Sequence, residues 1–220
     1  MKTVAPIEKA RLAPLEPPYP SEVAETLMAM MPPGVPPLRL FRTLAHNPRV
    51  LGKIRASNLL DRGSLERRDR ELAILRTCAR CGSEYEWGVH VSIFARRFGI
   101  PDEKIAGTAD WSADDPRWDE RERAIVGMVD QLHDRAHVDD ASWRSLQQQF
   151  RSDQLVELVV LVGFYHTISF VTNGFGIALE ADAERFPSAR AAAAVLGHPP
   201  SRSRTRRVMS CASRSGVPAR

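Results

Sequence analysis

Apolar residues recur at helical spacing along almost the whole chain from residue 38 onward. Positions three and four apart fall on one face of a helix, so this spacing predicts amphipathic helices. The expected helices cover residues 38–46, 48–60, 64–80, 84–98, 102–108, 116–137, 141–150 and 153 to about 184. The sequence shows no Asn-Gly hairpin and no run of alternating β-branched residues. The pattern therefore predicts an all-α fold, with short connections that favour antiparallel neighbours in a bundle.

Start and stop signals accompany the predicted helices. Two Ser-x-x-acid patterns and one Asp-Pro pair match helix starts, namely Ser83 to Glu86, Ser112 to Asp115, and Asp115 with Pro116. Gly99 is placed to end the helix that contains His90. These signals predict where the chain enters and leaves its helices.

The two ends of the chain differ from the middle. Nine of the 16 prolines precede residue 38, so residues 1–37 are expected to form an arm that wraps the body, with one helix over residues 21–31. Residues 38–186 are expected to form the helical domain. Residues 187–220 are rich in Ala, Arg, Ser and Pro, and apolar periodicity is lost after residue 198, which predicts a disordered tail.

The excess of basic residues lies at the C-terminal end of the chain. The chain has 43% hydrophobic and 26% charged residues, as expected of a protein with a buried core, and a net charge of +4. Six of its 31 basic residues are arginines between residues 198 and 220, so the remaining 25 face 27 acidic residues. We therefore expect no specific nucleic-acid partner, and only nonspecific attraction of polyanions to the tail.

Cysteine content and apolar runs bear on location. Cys78, Cys81 and Cys211 are too few for a fully paired disulfide framework, and the N-terminal residues lack the apolar stretch of a secretory signal. A cytoplasmic location is the expectation. Residues 155–179 are long and apolar enough to consider as a membrane span, but their polar residues and glycines favour a buried helix, so no membrane partner is expected.

Reactive side chains are densest between residues 68 and 90. Glu86 and His90 lie four residues apart, so they project from one face of a predicted helix and can share a proton or a substrate. A tight turn at Gly82 would fold the preceding helix alongside, with Glu71 facing the pair. Simpler explanations remain open: Ser83 and Glu86 also fit a capping box, His90 a buried core histidine, and Glu71 a solvated charged turn.

Other groups fit simpler roles better. Cys78 and Cys81 form a Cys-x-x-Cys at a helix C-terminus, where the dipole disfavours thiolates, so small buried residues are expected ahead of a redox pair. A zinc site would need further ligands, and none is predicted. His133 and His137 fit a polar helix end. His166, on the long apolar helix, fits a hydrogen-bonded core or interface histidine that could also line a pocket.

Residues 70–76 followed by residues 81–91 closely resemble the carboxymuconolactone decarboxylase family, whose superfamily includes the alkylhydroperoxidase D-like proteins. A looser resemblance extends from Leu38 to Gly176. It implies an alkylhydroperoxidase D-like helical bundle that forms homo-oligomers, commonly trimers or hexamers, with the site near a subunit interface. In the peroxidase branch, two cysteines lie seven and four residues before the histidine, and here those positions are Ser83 and Glu86.

The resemblance implies a lyase or isomerase without a cofactor or metal, acting on a small carboxylated lactone or a related aromatic or polyketide intermediate. His90 would stabilise a developing enolate, Glu86 would orient it, and Glu71 would donate the proton. Four further residues are candidates for substrate binding: Ser83, Tyr85, Arg76 (or Arg80) and His166. The alternatives are a peroxidase or thiol oxidoreductase that uses Cys78 and Cys81, and a non-catalytic oligomeric binding protein.

Overall fold

The computed structural model describes residues 10–57 and 59–187, and within these residues the chain is helical without strands. Nine α-helices follow one another: α1 Ser21–Ala29, α2 Arg39–Leu44, α3 Pro48–Ala56, α4 Arg67–Arg80, α5 Glu84–His90, α6 Asp102–Asp110, α7 Glu120–Arg135, α8 Asp140–Gln149 and α9 Ser152–Phe175. After α5 the chain continues through a π-helical turn, Val91–Ala95, and a 3₁₀ turn, Arg96–Phe98. The all-α prediction is confirmed. The expected tail after residue 187 lies outside the described residues.

The centre of the fold is α4. It packs against α5, α6, α7 and α9, and every residue from Asp69 to Ala79 is buried. Neighbouring helices contribute fully buried apolar side chains, such as Ile125 of α7 and Leu158 of α9. Each such side chain stabilises the fold by about 1.5–3 kcal/mol. Because α4 touches so many neighbours, it fixes the positions of the groups it carries.

The N-terminal arm packs onto the same body. Val23 and Leu27 of α1 are buried in a second apolar cluster, together with Leu40 of α2 and Leu51 of α3. The backbone N–H of Arg11 donates to the carbonyl of residue 175 at 2.8 Å, so the arm also meets the end of α9. The helix expected over residues 21–31 is α1, which ends two residues earlier.

The last helix is shorter than predicted. α9 ends at Phe175, where Gly176 adopts a left-handed conformation with φ of 61°, and does not continue to residue 184. Residues 177–187 turn back across the outer face of α5 instead. Tyr85 donates to Glu180 at 2.6 Å, and the backbone N–H of Phe186 donates to Glu84 at 3.0 Å. These contacts compete with helical hydrogen bonds that the local sequence would otherwise favour.

Several predicted helix starts are wrong by a few residues. α7 begins at Glu120, with Asp119 as its cap and Glu122 reaching back to the Asp119 N–H, rather than at Pro116. Asp115 caps no helix and accepts hydrogen bonds from Arg117 in the preceding loop. α3 ends at residue 56 rather than 60, and α4 begins at residue 67 rather than 64.

α9 is long and apolar enough to cross a membrane by length and composition, a test that core helices also pass. Leu158, Leu161 and Ile168 are buried in the protein. Val156 and Phe170 lie on the opposite side and are 66% and 67% exposed. The helix therefore has one face in the core and one apolar face at the surface.

The segment of residues 177–187 lies so close to α5 that it requires a glycine. A Cβ atom added to Gly88 would overlap the backbone carbonyl oxygen of Glu184. Both overlapping atoms are fixed to the backbone, so the backbone would have to move to accommodate the added Cβ. Gly88 therefore allows the C-terminal segment to cover α5.

We expect Gly88→Ala to lower the free energy of unfolding by about 1–3 kcal/mol, because overlap with backbone outweighs the helix propensity of alanine. Urea unfolding followed by circular dichroism measures this. Gly127→Ala on α7 is the matched control, since nothing lies within 4 Å of an added Cβ there. That variant should be as stable as the parent or more stable. Equal stability of the Gly88→Ala protein would contradict the proposed close packing.

Candidate active site

Glu71, Glu86 and His90 meet in the interior between α4 and α5. The Nδ1 atom of His90 lies 2.7 Å from Oε2 of Glu71, and its Nε2 atom lies 3.4 Å from Oε1 of Glu86. A fourth group, the hydroxyl of Tyr165 on α9, lies 3.1 Å from the same Nε2 atom. His90 is thus contacted on both ring nitrogens by groups that can exchange protons with it.

The turn between α4 and α5 produces this meeting. Gly82 adopts a left-handed conformation with φ of 64°, and the Ser83 N–H returns to the Cys78 carbonyl at 2.8 Å. The two helices then run side by side. Glu71 lies nine residues before the end of α4, about 14 Å, and His90 lies six residues into α5, about 9 Å. Both residues therefore lie within about 14 Å of the same turn, which allows their side chains to reach each other.

The capping-box explanation for Ser83 and Glu86 is wrong. Ser83 precedes α5, but its side chain makes no capping hydrogen bond. Its hydroxyl instead pairs with that of Thr172 on α9 at 2.8 Å, and both groups are buried. Glu86 is therefore free of the helix end and points one oxygen at His90.

The side chains of this cluster are buried. Glu71, His90 and Glu86 are 0%, 2% and 6% exposed, and Tyr165 is buried. Oε1 of Glu71 and Oε2 of Glu86 are buried without a hydrogen-bond partner. Buried polar atoms are nearly always paired, so orphan carboxylate oxygens beside an imidazole mark a place where a ligand atom or water fits.

The cluster also perturbs protonation. Burial lowers the pKa of His90, but the charges and hydrogen bonds of Glu71 and Glu86 outweigh it and raise that pKa to about 9. Burial, together with the charges of the same two glutamates, raises the pKa of Tyr165 well above its ordinary value. At neutral pH the site therefore holds an imidazolium and a neutral phenol. Perturbed groups of this kind are typical of catalytic sites.

The candidates for substrate binding lie elsewhere and are engaged within the protein. Arg76 is buried, pairs with both oxygens of Asp130 at 2.7 and 2.6 Å, and donates to two backbone carbonyls at 2.9 Å. Arg80 pairs with Asp134. Tyr85 accepts a hydrogen bond from the Leu40 N–H at 3.1 Å and donates to a carboxylate of the C-terminal segment. His166 contacts His133. Ser83 is likewise engaged by Thr172, so the structure pairs every one of these candidates with a group other than His90.

Cys78 and Cys81 lie at the end of α4 with free thiols. Cys78 is completely buried, and burial, followed by the charge of Glu86, raises its thiol pKa well above the ordinary value. Cys81 is half-buried, and burial raises its pKa as well. Both thiols are thus held in the protonated form, which is the weak nucleophile.

Sequence analysis missed two residues of the cluster. Tyr165 reaches His90 from α9, 75 residues along the chain, and Nε of Arg70 lies 3.9 Å from Glu71. Arg70 also donates to the carbonyl of Asp61 at 2.8 Å and is buried. The available signal for Tyr165 was a polar hydroxyl on an otherwise apolar helix face. Arg70 was hidden within a run of charges that resembles a solvated turn.

Two cavities in the described part of the chain lie away from His90. One of about 290 Å³ is lined by Arg76, Asp130 and Trp111 among others. The other, of about 540 Å³, lies between α8 and α9 beside Trp143 and Val156. Glu86 has the largest exposed fraction among Glu71, Glu86 and His90, and at 6% it is buried as well.

Solved structures share this fold. An uncharacterized peroxidase-related protein from a Silicibacter species is 16% identical over 82% of this chain and 97% of its own, with a TM-score of 0.69. The alkylhydroperoxidase AhpD core protein from Ralstonia eutropha is 18% identical over 78% and 94%, with a TM-score of 0.67. A variant of the debrominase Bmp8 in complex with 2,3,4-tribromopyrrole is 14% identical over 80% and 94%, with a TM-score of 0.58. These likenesses establish an AhpD-like helical fold.

No curated protein sequence matches the chain significantly. Residues 49–130, however, match the model of the carboxymuconolactone decarboxylase family. That span contains α4 and α5 with Glu71, Glu86 and His90, the three groups that meet in the interior. Residues 49–130 are therefore similar to the carboxymuconolactone decarboxylase family, and the fold that holds them is AhpD-like.

Proposed function

We propose that this protein is a cofactor-free acid–base catalyst, a lyase or isomerase that acts on a small carboxylated lactone or a related conjugated carbonyl compound. The observation that carries the proposal is the buried cluster in which His90 lies between Glu71 on one ring nitrogen and Glu86 and Tyr165 on the other. The substrate class is taken from the similarity to the carboxymuconolactone decarboxylase family, and the cluster supports the reaction type.

His90 is the electrophile in this proposal. Glu71 accepts the Nδ1 proton and is completely buried, so it acts as a positioning residue that holds the ring and balances its charge. The second proton, on Nε2, is left to point at the space shared by Glu86 and Tyr165. A substrate carbonyl oxygen there would receive a charged hydrogen bond, which strengthens as negative charge develops on that oxygen.

Glu86 is the group that moves a proton to or from carbon. In a decarboxylation, the bond between carbon and the carboxylate breaks and carbon dioxide leaves. The electron pair enters the conjugated carbonyl as an enolate, and Glu86 then passes the Nε2 proton of His90, 3.4 Å away, to that carbon. His90 regains a proton from solvent at the end of the turnover. In an isomerisation, ionised Glu86 removes a proton from one carbon and returns it to another. Relative to the expectation from sequence, Glu71 and Glu86 exchange roles, since Glu71 is engaged at Nδ1 of His90 while Glu86 lies at Nε2, the side that this proposal leaves to the substrate.

Thiol chemistry is supported less well. A peroxidase needs a thiolate that attacks peroxide and a second thiol that resolves the product. Cys78 is buried beside Glu86, and both cysteines lie at the C-terminal end of α4, where the helix dipole disfavours negative charge. The hypothesis that Cys78 and Cys81 form a redox pair stays a prediction, and these surroundings count against it.

His90→Gln should lower kcat/KM by about 10²- to 10⁴-fold while the helical content is unchanged. The assay follows carbon dioxide release, and deuterium uptake from heavy water at carbon, over a panel of small carboxylated lactones and β-keto acids. Tyr165→Phe should also lower the rate, and Tyr85→Phe is its matched control because that hydroxyl faces Glu180. Full activity of the His90→Gln protein, or no turnover of any panel member by the parent, would contradict the proposal.

Stability should depend on pH through His90. Its pKa is raised from 6.5 to about 9 on folding, so its stabilising contribution is complete below pH 6.5 and is lost as pH rises through 9. Glu71→Gln removes the main partner. The gap in unfolding free energy between the parent and this variant should therefore shrink as pH rises through this range, measured by urea unfolding. Glu120→Gln, an exposed control, should show a gap that is constant with pH. A constant gap for Glu71→Gln would be evidence against the imidazolium.

The thiols should be inert to peroxide. In a Cys211→Ser chain, tert-butyl hydroperoxide should leave Cys78 and Cys81 as two free thiols, because their pKa values are raised by burial. Thiol titration with Ellman's reagent after unfolding measures this. A Cys81→Ser variant should also retain turnover in the assay above. Rapid loss of both thiols together with consumption of peroxide would support the redox hypothesis instead.

A further inference from the structure

A second cluster of reactive groups lies on the other side of α9. It consists of Cys81, which follows α4, His133 on α7 and His166 on α9, and we call it the Cys-His-His cluster. Sγ of Cys81 lies 3.8 Å from Nδ1 of His133, which lies 3.1 Å from Nε2 of His166. All three atoms are within 4.8 Å of one another, and all three residues are half-buried.

We propose that the Cys-His-His cluster binds one zinc ion through these three atoms. Zinc holds nitrogen ligands at about 2.0–2.1 Å and thiolate at about 2.3 Å in a tetrahedron. Those bond lengths place two nitrogens about 3.3 Å apart and a sulfur and a nitrogen about 3.6 Å apart. The observed 3.1 and 3.8 Å differ from these edges by only a few tenths of an ångström. The third pair, Sγ of Cys81 and Nε2 of His166, lies within 4.8 Å, so two of the three edges already have nearly the required length and the third needs at most a side-chain adjustment.

Hydrogen bonds behind the ligands orient them for a metal. Nδ1 of His166 lies 2.8 Å from the carbonyl oxygen of Val162, which only accepts, so this nitrogen carries the proton. The lone pair of His166 is then on Nε2, the atom that faces the cluster. The amide of Asn173 donates to the carbonyl of Cys81 at 2.9 Å and holds that residue in place. Such partners are usual behind metal-binding histidines and raise metal affinity.

The charges around the cluster suit a divalent cation. Nδ1 of His133 faces both Sγ of Cys81 and Nε2 of His166, so all three donor atoms are directed at one point. Arg80 is paired with Asp130 and Asp134, so its positive charge is largely compensated. Zinc would displace the thiol proton of Cys81 to solvent on binding, and one thiolate with two imidazoles is a donor set that matches zinc. Three protein ligands leave a fourth position for water or a small anion.

The site is distinct from the proposed catalytic cluster. Tyr165 and His166 are consecutive on α9, so their side chains leave the helix about 100° apart, and Tyr165 faces His90 while His166 faces His133. Bound zinc would link α4, α7 and α9, the central helices of the bundle. Zinc should therefore raise the melting temperature of the protein.

The test is calorimetric titration of the reduced, EDTA-treated full chain with zinc chloride at neutral pH. We expect one zinc per chain. His133→Gln and His166→Gln should each weaken binding by about 100-fold or more, because loss of even a partner behind a ligand costs 10- to 100-fold. His137→Gln is the matched control, since His137 lies outside the cluster. Absence of zinc binding by the parent, or unchanged affinity in both ligand variants, would overturn the proposal.

Cobalt substitution identifies the sulfur ligand. The parent loaded with Co²⁺ should show a thiolate-to-metal charge-transfer band, which Cys81→Ser should abolish and Cys78→Ser should keep. If a variant does not fold, alkylation of the parent decides: zinc should slow the reaction of Cys81 with iodoacetamide, mapped by mass spectrometry. Equal alkylation rates with and without zinc would show that the metal does not bind at Cys81.

Discussion

The interaction on which the interior depends is the buried hydrogen bond between Glu71 and His90. Burying ionised groups is costly, and it is tolerated here because the carboxylate and the imidazolium meet at 2.7 Å. The same rule holds along the rest of α4, where Asp69 pairs with Arg121 and Arg76 with Asp130. A helix with this many charges can form the centre of the fold because most of its charges pair with a neighbouring helix, while Arg70 donates to the carbonyls of Leu59 and Asp61 in the loop before it. The pairings join α4 to α5 and α7.

Local signals predicted the helices well and their ends less well. Apolar spacing located every helix in the described residues, because burial of one face is decided within a few turns. Two of the errors occur where a distant partner competes with a local one. Ser83 bonds Thr172 rather than its own helix, and residues beyond Gly176 bond α5 rather than extend α9. Sequence spacing contains no information about those partners, so it favoured the local alternative.

The candidate site likewise contains some residues that local sequence predicts and others that it does not. Glu71, Glu86 and His90 lie on two consecutive helices joined by one turn, so their approach follows from helix geometry. Tyr165 and the Cys-His-His cluster depend on how α7 and α9 rotate against α4, which no local pattern specifies. His133 and His166 each fitted a simple explanation when taken singly, and only their meeting beside Cys81 at the end of α4 indicates a metal site. Arg76, by contrast, could bind a substrate carboxylate by its chemistry, but its guanidinium is already paired with Asp130.

The position of the thiols separates this chain from a sulfur-based relay. The resemblance implies that the peroxidase branch places cysteines at the positions of Ser83 and Glu86, close to the histidine. Here the first position is fixed to Thr172 by a hydroxyl pair, and the second offers a carboxylate to His90. Replacing a thiol by a carboxylate exchanges an electron-transfer group for a proton-transfer group at the same place in the fold. Cys78 and Cys81 lie at the C-terminal end of α4, where Cys78 is buried in the core and Cys81 faces two imidazoles. Acid–base chemistry at His90 and metal binding at Cys81 are therefore the two roles that the surroundings of these groups favour.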